Sequence, residues 1–166
     1  MTSISLRPAV RTDLPHIFRL VRGLAEYERK LDTFTCTEAD LATLLFGPEP
    51  RAQVILAEPP GAAPVGIALF YYVISTFTGR AGLFLEDLFV EPSYRGQGIG
   101  LALLRALSGR AMAENCYAIE WRVLDWNQPA IDFYQRLGAV RMQGWQTREL
   151  KGAALAALAQ GAQEHG

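Results

Sequence analysis

Three glycines at alternate positions, Gly96, Gly98 and Gly100, separate an apolar run from a helix-like run in VEPSYRGQGIGLALL. Glycine is costly in regular structure, so this junction is expected to hold something that side chains would block. A G-x-x-x-x-G-K-[ST] phosphate loop fails, because Leu101 and Ala102 follow Gly100. A dinucleotide fingerprint needs G-x-G-x-x-G and an acidic residue closing a second strand, and this mid-chain spacing supplies neither. What remains is R-x-x-G-x-G where a strand turns into a helix. There, main-chain N–H groups and the positive end of the helix dipole can take a diphosphate, with Arg95 adding charge at the rim.

Two further places carry groups able to move protons. Glu86 and Asp87 are the only charges between Leu83 and Val90. A carboxylate in the middle of a covered strand is costly unless paired or hydrogen-bonded, and neighbours along a strand should point to opposite faces. Downstream, Tyr134 follows Asn127 by seven residues, which puts both on one helix face. Taken alone, Tyr134 reads equally as a proton donor and as a buried aromatic.

The elements that must position these groups follow from periodicity and punctuation. ISLRPA is an opening strand, and Asp13 with Pro15 starts a helix whose apolar face is Leu14, Ile17, Phe18, Val21, Leu24 and Ala25. TEADLATLLF is a short helix capped by Thr37 and ended by Gly47 and Pro48. AQVILAE and PVGIALFYYVIST form a hairpin across PPGAAP, and GLFLEDLFVEP reads as a central strand covered on both faces. The helix after the glycines buries Ile99, Leu103, Leu107 and their neighbours, and YAIEWRVLDW is the next strand. NQPAIDFYQRLGA is a helix with Asn127 as cap and Gly138 at its end, VRMQGWQTREL supplies one or two last strand pieces, and the alanine-rich tail is helical at best. The order predicts one α/β domain over 1–166: a mixed, mostly antiparallel central sheet of six to seven strands with helices on both faces. The strand–helix–strand unit from 83 to 124 should be parallel.

Composition removes several classes of function. A net charge of −1 gives no basic stripe for nucleic acid. No apolar run reaches the roughly 20 residues of a membrane helix, and MTSISLRPAVRTD does not read as a signal peptide. Cys36 and Cys116 lack metal-like spacing and read as reduced thiols of a cytoplasmic protein, and with only His16 and His165 a metal site or histidine triad is not expected.

EDLFVEPSYRGQGIG followed by VLDWNQPAIDFYQRLGA resembles the GNAT superfamily of acetyl-CoA-dependent N-acetyltransferases. LAEYE, FYY, LEDLFV, YRGQGIG, DWNQPAIDFY and LGA, in that order, extend the resemblance to the diamine (spermidine/spermine) and thialysine acetyltransferase branch. The resemblance implies the GNAT fold, a homodimer, and acetyl-CoA as co-substrate with no metal. Its pyrophosphate would lie on the amides of Arg95, Gly96, Gln97, Gly98, Ile99 and Gly100, with Leu101 beside them. The main chain of Leu88, Phe89 and Val90 would bond the pantetheine arm like a missing strand. Asn127, Gln128, Pro129, Ala130, Tyr134 and Arg136 would complete the contacts.

Acetyl transfer to an amine then sets three tasks: removing a proton from the ammonium, stabilising the oxyanion and protonating the departing thiolate. The resemblance gives the last to Tyr134, since a phenol of pKa about 10 can protonate a thiolate of about 8.5 with help from water or a nearby charge. It gives the amine to Glu86, directly or through water, with Asp87 left for a structural partner such as an arginine or helix end. Tyr27 and Glu28 would touch the distal part of the substrate, while Glu120, Trp121 and Arg122 line the neighbouring strand, where Glu120 and Arg122 could simply be an ion pair.

ISTFTGR departs from the spermidine-acting pattern: Ser75, Thr76 and Phe77 stand where an acidic residue, a proline and a tryptophan are usual. Losing a charge-assisted contact is worth about 1.5–3 kcal/mol, which tips the expected substrate toward a lysine-like amino acid such as thialysine, with a polyamine second. A silent acyl-CoA-binding module and a protein acetyltransferase are the competing functions.

Overall fold

The computed structural model describes residues 4–161, and His165 lies outside them. Two compact units divide the chain, Met1–Leu124 and Asp125–Gly166. The first holds a five-stranded sheet in the order β1 (Ser5–Pro8), β2 (Gln53–Glu58), β3 (Gly66–Ser75), β4 (Arg80–Val90), β5 (Ile119–Trp121). Neighbours are antiparallel except β4 and β5, which run parallel on either side of α3 (Ile99–Ala113), as the 83–124 unit requires.

Helices cover both faces. On one, α1 (Leu14–Tyr27) and α2 (Glu38–Phe46) bury Ile17, Leu20, Leu41 and Leu45 against Val54, Leu56, Ile67, Leu69 and Phe89. On the other, α3 comes so close that a Cβ on Gly66 would lie 3.2 Å from Ile99 Cγ2 and 3.4 Å from Leu103 Cδ1. Leu20, outside the expected stripe, is fully buried because α1 meets α2 as well as the sheet.

Thr37 caps α2 as expected: its Oγ1 accepts from Asp40 N–H at 3.2 Å, and Asp40 Oδ2 returns the bond to Thr37 N–H at 2.9 Å. Asp13 does not cap α1 with its side chain. Its carboxylate instead takes both Arg7 nitrogens at 2.7 and 2.8 Å, which ties β1 to the start of the helix.

The second unit contains α4 (Gln128–Arg136) and α5 (Gly152–Ala159). The strand pieces expected in VRMQGWQTREL do not form, so the sheet has five strands rather than six or seven. Alternating residues make a strand only where a neighbouring edge accepts them, and none pairs with 140–150 among the described residues. No helix among the described residues is long and apolar enough to cross a membrane.

Candidate active site

Two carboxylates meet at an irregularity in β4. Its pairing with β3 runs from Gly66↔Val90 to Leu69↔Asp87 and resumes at Phe70↔Leu85, so Glu86 is the extra residue of a β-bulge. Asp87 therefore shares the face of Leu69, toward α1 and α2. Glu86 turns to that same face, accepting from Tyr71 Oη at 3.4 Å and from Arg122 Nη2 at 3.4 Å. The expectation that the pair faces opposite ways is thus corrected, because an inserted residue cancels the two-residue alternation. So is the fully covered strand: the Glu86 side chain is 42 % exposed.

The two acids differ in their surroundings. Asp87 is half-buried, and burial, with the charges of Glu86 and Glu28 close by, pushes its carboxyl up to about 7. Among the described residues no cation or donor pulls it back. The arginine expected beside Asp87 stands beside Glu86 instead. Glu28 at the end of α1 faces Asp87 while its own carboxylate lies 3.7 Å from Lys30 Nζ. Cys36 borders the same place, its thiol pushed up by burial and then by the charges of Asp40 and Asp87.

On β5, Glu120 does not pair with Arg122. It accepts from Tyr117 Oη at 2.6 Å, which drives that phenol up to about 12. Arg122 is thereby left to Glu86, with its guanidinium 5.2 Å from the centre of the Phe84 ring. Trp121 pairs with Leu85, where the β4–β5 ladder stops. Beyond it, Glu86 to Val90 keep β3 on one edge and have no strand partner on the other among the described residues. That open edge contains Leu88, Phe89 and Val90. The Val90 carbonyl is taken by Arg95 Nε at 2.9 Å.

The glycine junction forms the N-terminus of α3. Gly96 and Gly98 have φ of 74° and 81°, and Gly98 is the N-cap. A side chain there would strain the backbone, which accounts for two of the three glycines. Gly100 is different: it is helical, and a Cβ would meet only Val90 Cγ2 at 3.9 Å, an ordinary contact. Gln97, Ile99 and Leu101 alternate with these glycines, Ile99 buried beneath the turn. Arg95 is not aimed at the junction, a correction to the rim role: it lies 4.5 Å over the Tyr27 ring and 5.5 Å from Phe89. Arg19 on α1 secures the start of the loop through Glu91 and through the Pro64 carbonyl, at 2.7 Å from the latter.

Gly100→Ala separates folding from binding. The substitution is expected to leave stability unchanged or raise it by up to about 1 kcal/mol, since alanine favours the helix. With the cofactor where the family resemblance implies it, the added methyl group should raise the KM for acetyl-CoA about tenfold by standing between main chain and ligand. Melting curves and initial rates measure the two; an unchanged KM removes Gly100 from the cofactor site.

In the second unit, Asn127 is buried and its side-chain oxygen caps α4 by accepting from Ala130 N–H at 3.4 Å, with Pro129 in the first turn. Gln128 bonds Asp132 at 2.6 Å, and Arg136 is exposed in the last turn. Tyr134 is half-buried, its ring tilted against Phe133 with 5.4 Å between centroids.

Residues 18–139 match the model of the acetyltransferase (GNAT) family. The chain is 37 % identical to thialysine N-epsilon-acetyltransferase of Sus scrofa, over 96 % of this chain and 99 % of that protein. It is 36 % identical to spermidine/spermine N(1)-acetyltransferase-like protein 1 of Homo sapiens, over 87 % of this chain but 22 % of that longer protein. An integron cassette protein from the mobile metagenome of V. cholerae superposes with a TM-score of 0.79 at 25 % identity, covering 96 % of this chain and 99 % of that one. A mixed sheet with a helix starting at a glycine junction beside an open strand edge defines the class, an acyltransferase of α/β build. The chain belongs to the acetyltransferase (GNAT) family. Its activity is acetyl-CoA-dependent N-acetylation.

Proposed function

We propose that the protein acetylates the side-chain amine of a lysine-like amino acid such as thialysine, by direct attack of the amine on the thioester. The observation that carries this reading is Asp87, a half-buried carboxyl pushed up to about 7 at the bulge, on the face toward α1 and α2. A carboxyl of that pKa accepts a proton from an ammonium at neutral pH, whereas an ordinary carboxylate would hold the ammonium protonated. Acetyl-CoA supplies the thioester carbonyl. Asp87 takes the first proton from the ammonium; as the C–N bond forms and the C–S bond breaks, Tyr134 gives a proton to the sulfur and recovers one, through water, from the second that the nitrogen loses.

The amides from Gly96 to Leu101 and the N-terminus of α3 hold the pyrophosphate, and the free edge at Leu88 and Phe89 bonds the pantetheine. Asn127, Gln128, Pro129, Ala130 and Arg136 keep the cofactor contacts that the family resemblance implies. Glu86, Glu28 and Tyr27 bind the substrate beyond its reacting nitrogen. A polyamine is the second reading, favoured by three carboxylates, Glu28, Glu86 and Asp87, gathered on one face. Pairing with a second copy is part of the proposal, supported by exposed Trp145, Leu155 and Leu158. A cytoplasmic setting is supported by the two free cysteines.

Mass spectrometry of purified protein with acetyl-CoA and thialysine, lysine, ornithine and spermidine tests the reading. Mono-acetylated amino acid at the side-chain nitrogen is the expected product. No turnover with any amine, despite tight coenzyme A binding, identifies a silent binding module instead.

A further inference from the structure

Glu86 and Arg122 together make a site for which the acetylation chemistry itself has no need. Proton transfer from the amine uses a carboxyl free of cations, and among the two acids of the bulge that is Asp87. Glu86 stands with a guanidinium 3.4 Å away, the two side chains 42 % and 65 % exposed. At that length and exposure the pair is loose and water-screened, so it contributes little to holding the fold. Arg122 Cζ lies 5.2 Å from the centre of the Phe84 ring, and Phe84 stacks on Tyr71 with centroids 5.2 Å apart. Tyr71 in turn donates to Glu86. A fork of five N–H donors thereby stands over an aromatic shelf, with Nη2 on Glu86 and a further hydrogen bond toward Tyr71, next to a carboxylate that adjoins Asp87 in the chain.

We infer that this pair reads the zwitterionic head of an amino acid: Arg122 binds the α-carboxylate through the donors that Glu86 and Tyr71 leave to it, and Glu86 binds the α-ammonium. The geometry distinguishes the two substrate classes left open above. A diamine or polyamine presents a second ammonium and nothing for a guanidinium to hold, so Arg122 repels it. An amino acid presents both charges on adjacent atoms and matches both partners, a carboxylate against a guanidinium being the strongest such pairing. The inference rests on the proposed acetylation of a small amine and goes on to name what selects that amine.

Its test compares thialysine with bis(2-aminoethyl) sulfide, which differs from thialysine only by lacking the α-carboxylate. The wild-type protein is expected to favour thialysine in kcat/KM. Arg122→Ala should lower thialysine kcat/KM about 10- to 100-fold, chiefly through KM, and raise that of the diamine, because Glu86 is released to hold the second ammonium. Arg122→Lys, which keeps the charge but not the fork, should fall between. A variant that loses both substrates equally, or a wild type that prefers the diamine, overturns the inference. Absence of turnover with either amine counts against the proposed activity instead, and calorimetric binding of thialysine to wild type and Arg122→Ala still decides the role of the guanidinium: equal affinity refutes it.

Discussion

Asp87→Asn is expected to lower kcat/KM at pH 7.5 by about 100- to 1,000-fold while making the protein more stable at that pH. The first effect follows from removing the proton acceptor, for which general-base catalysis contributes on the order of 10²–10⁴. The second follows from the same carboxyl's burial. Unfolded, Asp87 titrates near 3.8; folded, near 7. A carboxyl raised on folding leaves stability whole below about pH 3.8 and subtracts from it as pH rises toward 7, where the charge is finally forced into the folded state. That full difference corresponds to roughly 4 kcal/mol, which water reaching a half-buried group reduces to about 2 kcal/mol. Neutral asparagine escapes the cost, so the variant should melt about 4–8 °C higher at pH 8 and show no advantage at pH 4. The activity of the wild type should fall on the acid side with an inflection near 7, lost in the variant. Equal melting temperatures at pH 8, together with a wild-type rate flat from pH 6 to 8, would show that Asp87 is an ordinary surface acid.

The other large effect concerns the departing sulfur. Tyr134→Phe removes one hydroxyl and keeps the ring that packs against Phe133. The expected result is a fall in kcat of about 100-fold with coenzyme A affinity within about twofold of wild type, since the interaction lost is made only in the transition state. Rates at saturating substrates and a coenzyme A titration by calorimetry provide both numbers. An unchanged kcat takes the acid role away from Tyr134; a parallel loss of affinity assigns the hydroxyl to cofactor binding.

How far the amino-acid order alone reaches is visible residue by residue. Gly96 and Gly98 marked a strand-to-helix turn in the sequence, a local signal, and the structure adds that both hold a positive φ, which excludes almost every other residue. Thr37 was readable for the same reason: a cap and its Asp40 partner are three residues apart. The parallel crossover through α3 followed from strand and helix periodicities that each element carries within itself. The extra strands at 140–150 failed because alternation says nothing about whether a partner edge exists. Arg95 was assigned to the phosphate loop on proximity in the chain, whereas a ring from α1, Tyr27, takes its guanidinium.

Residue types and spacing thus determined the α/β build, the glycine-lined helix start and the presence of two acids in one strand, since these depend on preferences within a few residues. Tertiary structure alone decided what surrounds each acid. A one-residue bulge, visible only in the register of β3 against β4, turned Glu86 and Asp87 to one face. Glu28 and Arg122, far away along the chain, then gave the two acids different neighbours, a carboxylate beside Asp87 and a guanidinium beside Glu86. A carboxyl's proton affinity is set by burial and by whichever charges stand within a few ångströms, and neither is written in the neighbours it has in the sequence.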